Sequence, residues 1–153
     1  MTHPIQGPST WARTTRLAEL EWGMSRKRVL AMFSTAQTYP RHESTNSVTR
    51  EPVIVRECVM FAAGEATRGV KMFGSVTFDE EHRVDSITLK SEFPRPEGVT
   101  EDSLRVAANE VAAALGVEAL PSLPAAARKW KVHKTLIELD RDDDCFWFEL
   151  APA

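Results

Sequence analysis

GVKMFGSVTFDEEHRVDSITLKSEF, residues 69–93, is the stretch whose reading decides the fold. Val70, Met72, Val76 and Phe78 alternate with Lys71, Phe73, Ser75 and Thr77. After a charged turn over residues 79–83, Ile87, Leu89 and Phe93 alternate with Ser86, Thr88 and Lys90. A period of two places each set on its own side of an extended chain. The stretch therefore reads as two antiparallel strands with one buried and one wet face.

Working outward, residues 52–63 read as a further strand, with Val53, Val55, Val59 and Phe61 on one face and Ile54, Cys58 and Met60 on the other. Apolar residues on both faces suit a covered strand. Downstream, Pro94 and Pro96 end the return strand, and Thr100 caps a helix with Glu101 and Asp102 in its first turn. Leu104, Ala107, Ala108, Val111 and Leu115 form its apolar stripe, and Gly116 stops it. The segment 117–127, with Pro121 and Pro124, is a connector. A closing hairpin runs over residues 129–139, a loop at 140–144 and a strand at 145–150, with Val132, Leu136, Phe146 and Phe148 as core.

Toward the N-terminus, residues 1–10 read as a mobile tail and 11–153 as a single domain. A short helix is expected over residues 11–22, ending at Gly23, and a second over 26–33 capped by Ser25, with Val29, Leu30 and Phe33 facing the sheet. Arg26, Lys27 and Arg28 sit where the helix dipole favours anions, either as a solvated turn or as a contact for an acidic partner. Residues 34–51 are polar and read as a loop of about 18 residues, long for a compact domain. The sum is an α+β fold: an antiparallel sheet of about five strands with two or three helices packed on one face.

Composition sets the outer bounds. At 153 residues, 42% apolar and 27% charged, the chain is long enough to bury a core without disulfides or metals. A net charge of −3 argues against a nucleic-acid partner. The charge is uneven: residues 1–56 carry eight Lys/Arg against four Asp/Glu, a net +4, which leaves −7 on the other 97. No apolar run nears the roughly 18 residues of a membrane span, and the first residues carry no secretory pattern, so a cytoplasmic location with no membrane partner is expected. Cys58 and Cys145 lie in apolar strand-like runs and read as structural thiols.

Chemical motifs are few. There is no phosphate-binding glycine loop, no GxSxG and no HExxH, and His3, His42, His82 and His133 are scattered without metal-ligand spacing. Neither catalytic residues nor a cofactor are indicated. The DRDDD loop gathers Asp140, Asp142, Asp143 and Asp144, but it lacks the alternating ligands, glycine and distant glutamate of a calcium loop. It is either a solvated hairpin tip or an acidic recognition patch. Trp130 and Trp147 read as neighbours across the closing hairpin, either as packing or as an interface anchor.

The run LEWGMSRKRVLAMF (20–33), followed by VTFDEEHRVDSITL (76–89), resembles the helix-then-meander unit of the BLIP-like/BamE-like (SmpA/OmlA) small α+β proteins, in which a GMS-x-x-x-V helix precedes a strand ending in Phe-Asp. The resemblance implies a protein–protein interaction module. The expectation is therefore a non-catalytic immunity-type or adaptor protein. Its contacts with a protein partner (a toxin or effector) are Trp130, Trp147, Asp140, Asp142, Asp143 and Asp144. Two rivals stand beside it: a ligand-binding or enzymatic domain using His133 or Glu57 on the sheet face, and a subunit whose sheet face pairs with itself.

Overall fold

The 69–93 stretch forms the centre of a wide sheet. The structure, a computed structural model, describes residues 20–33 and 36–153. In chain order the elements are α1 (Arg26–Met32), β1 (Gln37–Tyr39), β2 (His42–Thr45), β3 (Pro52–Val55), β4 (Cys58–Ala66), β5 (Val70–Phe78), β6 (Val84–Ser91), α2 (Glu101–Ala114), β7 (Arg128–Val132), β8 (Thr135–Arg141) and β9 (Phe146–Pro152). Seven strands make one antiparallel sheet, ordered β1-β4-β5-β6-β9-β8-β7, and β2 and β3 make a separate ribbon. The expected α+β fold with about five strands is thus overturned: among the described residues the protein is mostly β, with nine strands and two α-helices.

The extra strands have identifiable origins. The polar run expected as a loop over 34–51 holds β1 and β2, whose residues are all exposed, so no burial imprints an alternation on them. The run at 52–63 is divided, because pairing lapses at Arg56 and Glu57 between β3 and β4. The run at 129–139 is divided by a two-residue turn, His133–Lys134, with Val132 paired to Thr135 and His133 at φ +54. Such turns usually announce themselves with Gly or Asn, and this one carries neither. The turn reverses the alternation, so Leu136 faces out at 48% exposure while Ile137 and Leu139 are buried.

One face of the sheet holds the core: Val59 and Phe61 on β4, Met72, Val76 and Phe78 on β5, Ile87 and Leu89 on β6, Phe146 and Phe148 on β9. Both helices lie on this inner face. Ser25 Oγ accepts the Arg28 N–H at 3.3 Å and starts α1, which buries Val29 completely. Phe33, at its end, stacks on Phe61 with 4.2 Å between centroids. Phe61 in turn lies flat over its cross-strand partner Gly74, where a Cβ would run into the ring. In α2, Thr100 Oγ1 accepts the Ser103 N–H at 3.1 Å, and the alanines at 107, 108 and 112 bring the helix close to the sheet.

The rest of the helix expected over 11–22 falls outside the described residues, and its end, residues 20–22, is not helical. Instead Gly23 turns at φ +81, and the GMS stretch pairs with the start of β6 through Gly23 N–H to Val84 O and Val84 N–H to Met24 O, both 2.9 Å. Phe93, expected in the core, lies beyond β6 and is 59% exposed. No helix among the described residues is long and apolar enough to cross a membrane.

Candidate functional site

The outer face of the sheet carries no covering element among the described residues, and strand register lines its side chains into rows. Phe73, Lys90, Trp147 and Asp140 form one row; Met60, Ser75, Thr88, Glu149, Glu138 and Lys129 form the next. Leu136 and Ala151 pair one row further, as do Thr77 and Ser86. The floor across β5, β6 and β9 is therefore mostly short, Ser75, Thr77, Ser86, Thr88 and Ala151, with the exposed Glu149 standing beside Thr88. Bulky apolar groups stand at its sides, with Met60 42% and Phe73 40% exposed, Phe93 close by and Leu136 opposite. Two shallow hollows meet at Thr88, one of about 410 Å³ bounded by Met60, Phe73 and Phe93, the other of about 370 Å³ bounded by Leu136.

Lys90 organises one bank. Its Nζ lies 5.4 Å from the Trp147 ring centroid and 5.6 Å from that of Phe93, so one cation holds two aromatic faces. The contact fixes the rings without removing them from solvent. That arrangement presents aromatic area at low conformational cost.

The residues expected to make the contact are not brought together. Trp130 is on β7 and Trp147 on β9, with β8 between them. Trp130 pairs with the buried Ile137 and packs against the core, under Arg128 at 5.5 Å, whereas Trp147 pairs with Asp140 on the outer face. The two tryptophans thus point to opposite sides. In the acidic loop, Asp142 Oδ1 accepts the N–H groups of Asp144 and Cys145, each at 2.8 Å. Those two bonds hold its carboxyl below the usual carboxylate range. Asp140 Oδ1 accepts the Arg141 N–H at 2.8 Å, and the Arg141 guanidinium pairs with Glu101 at the start of α2. Two of the four carboxylates therefore build the turn; Asp143 remains exposed and Asp144 is partly covered.

The residues of the ligand-binding rival are also placed. Glu57 is held between Arg26, at 2.9 Å, and His82, at 3.1 Å, so of the three cations beginning α1 the first turns inward onto this carboxylate. Arg56 pairs with Asp85 and donates to the Phe78 carbonyl at 3.3 Å. These groups edge a hollow of about 620 Å³ beneath the β2–β3 ribbon, with Arg41 and Glu80 at its rim. Its central charges are already paired with one another. His133 lies far from them, exposed in the β7–β8 turn. Cys145 is buried, and burial pushes its thiol up to about 11, so it is no nucleophile at neutral pH. Among the described residues no group of three or more His, Cys, Asp or Glu is placed to hold a metal ion.

The site has a sequence signal that the alternation alone passes over. Phe73 sits among Lys71, Ser75 and Thr77, and Trp147 beside Glu149, so each is a large apolar residue at a wet-face position. No protein family, no curated protein and no solved structure matches this chain, so the helix-and-meander resemblance rests on its short motifs.

Proposed function

We propose that this chain is a protein-binding module, of adaptor or immunity type, that receives an amphipathic helix of its partner across the outer face of the sheet. The observation that carries the reading is a wide sheet that the described residues cover on one face only, with Met60, Phe73, Phe93 and Leu136 exposed on the other. The cluster of Met60, Phe73 and Phe93, with Leu136 across the hydroxyl floor, is exposed apolar surface of the kind that marks interaction sites. From β5 to β8 the face spans three strand spacings, about 14 Å, which admits a helix about 10 Å across. The short hydroxyl floor lets such a helix approach, and Phe73 and Leu136 grip its sides. Lys90, between two rings, offers its charge to a carboxylate beside the helix's apolar stripe. Toxin or effector inhibition and simple positioning of a partner both fit this docking mode.

The test uses a photo-crosslinking residue at Phe73 and, separately, at the exposed Ser122 in the connector. Irradiation in the native host is expected to give one dominant protein adduct from position 73, attached through a helical segment, and none from 122. Met60→Asp with Leu136→Asp is expected to abolish that adduct while leaving the thermal midpoint unchanged, since both side chains are exposed. An adduct that survives the double substitution, or equal adducts from both positions, refutes the reading.

A further inference from the structure

Two charges on the outer sheet face, Lys90 and Glu149, have no opposite charge in contact among the described residues. Glu149 stands directly opposite Glu138 across β8 and β9, and like charges so placed repel. Lys129, exposed at the end of that row, reaches Glu138 at 3.6 Å. Glu149 itself enters no ion pair among the described residues, and its carboxylate accepts no hydrogen bond from them. Lys90 lies over the rings of Trp147 and Phe93, and its charge is felt at the Asp142 carboxyl from outside ion-pair distance.

Each charge belongs to one of the two hollows. Lys90 borders the one walled by Met60, Phe73 and Phe93, whereas Glu149, with Glu138, borders the one walled by Leu136. The hollows meet at Thr88, which lies two residues from Lys90 on β6 and pairs with Glu149 on β9. The two charges are therefore offset by about 7 Å along the strands and by one strand spacing, about 4.8 Å, across them. A helix rises about 1.5 Å per residue, so four or five residues, about 6.0–7.5 Å, cover the same distance along its axis. Any helix that settles on this floor takes Glu149 out of water. A carboxylate covered without a counter-charge is strongly unfavourable, so the floor rejects a helix that sets an apolar or acidic residue there.

Resting on the docking mode proposed above, we infer that the partner helix carries an acidic residue for Lys90 and, four or five residues away, a basic residue for Glu149. The cation also relieves the repulsion between Glu149 and Glu138. Arginine suits that place, because its planar fork faces two carboxylates at once. The apolar walls supply contact area, while the two charges select the partner and fix the direction in which its helix lies.

A displayed library of amphipathic helices tests this, with a fixed stripe of leucine and alanine, random flanking positions and the full chain as bait. Wild type is expected to enrich helices in which an acidic and a basic residue lie four or five apart. Peptides made from them are expected to lose at least about tenfold in Kd toward Glu149→Lys, as reversal of a desolvated charge does. Selection on Glu149→Lys is expected to return acidic residues in place of the basic one. Glu149 is exposed, and circular dichroism confirms that the variant folds. Met60→Asp with Leu136→Asp serves as the bait without apolar walls. Helices that bind wild type and not this double variant, yet lack the basic residue or bind Glu149→Lys equally well, overturn the charge pattern and leave the docking mode standing. If wild type enriches no helix over the double variant, the docking mode falls and this inference with it.

Discussion

Replacing Ile137 and Leu136 one at a time by alanine tests the turn that divides the last strands. The residues are neighbours in sequence and nearly equal in volume, but Ile137 is 2% exposed and Leu136 48%. Ile137 sits on the inner face between Trp130 on β7 and Leu150 on β9. Truncating a buried Ile to Ala costs about 2–5 kcal/mol, the lost transfer energy plus the cavity left behind. Leu136 already gives half its surface to water and leaves no cavity, so its truncation costs less than about 1 kcal/mol. At this chain length each kcal/mol moves the midpoint by roughly 2–4 °C, so Ile137→Ala is expected to melt about 5–15 °C lower and Leu136→Ala within about 3 °C of wild type. Thermal scans and urea titrations followed by circular dichroism read both values, and an unchanged m-value shows that the same surface is exposed on unfolding. If Leu136→Ala costs as much as Ile137→Ala, the strand runs straight through His133 and Lys134. Every outward residue of β8 would then face the core.

Gly74→Ala drives a Cβ into the Phe61 ring and breaks its stack on Phe33, so a loss of about 1–3 kcal/mol is expected in urea unfolding, partly recovered by adding Phe61→Leu. Asp142→Ala removes the acceptor for two main-chain donors and is expected to cost about 1 kcal/mol, as loss of a helix cap does. The same bonds lower the Asp142 carboxyl, and the Arg141 hydrogen bond lowers that of Glu101. A lowered acid contributes above its unfolded value and loses that contribution as pH falls through its folded value. Melting temperatures of wild type should therefore fall below about pH 4, and less steeply in Asp142→Asn with Glu101→Gln. Cys145 has the opposite sign: its thiol is raised from 9.0 to about 11 by burial, so its contribution is whole below 9.0 and lost as pH rises toward 11. Cys145→Ala is expected to flatten that alkaline decline.

Legibility in the sequence followed burial. The alternation over 70–89 reproduces the pattern of β5 and β6, and the stripe from Leu104 to Val111 reproduces the buried side of α2. Each is half in and half out, which is the condition for a period to appear. The division at His133–Lys134 leaves no mark in the sequence because positive φ falls to His133 rather than to a glycine. Phe93 kept the parity of Ile87 and Leu89 in sequence, but β6 ends at Ser91, and the chain beyond is free of that parity. The acidic loop was ambiguous for a different reason: aspartate is both a turn former and a recognition group, and only the bonds of Asp142 to Asp144 and Cys145 separate the roles.

The same condition explains why the outer sheet face and the β2–β3 ribbon lie where the pattern fails. A strand exposed along its whole length acquires no alternation, so β2 is indistinguishable from loop by period alone. Its partner, Pro52–Val55, shows the converse, apolar on both faces, which resembles a covered strand although every residue is exposed. Ile54 borders the hollow beneath the ribbon, and Val53 and Val55 stand on the ribbon's other side. The outer sheet face obeys the same logic, since Phe73 and Trp147 break a wet-face pattern otherwise kept by Ser75, Thr77, Ser86 and Thr88. A misplaced apolar residue on a period-two strand identifies a face that another surface can cover, and Met60, Phe73, Trp147 and Leu136 are where the outer sheet face departs from its own pattern.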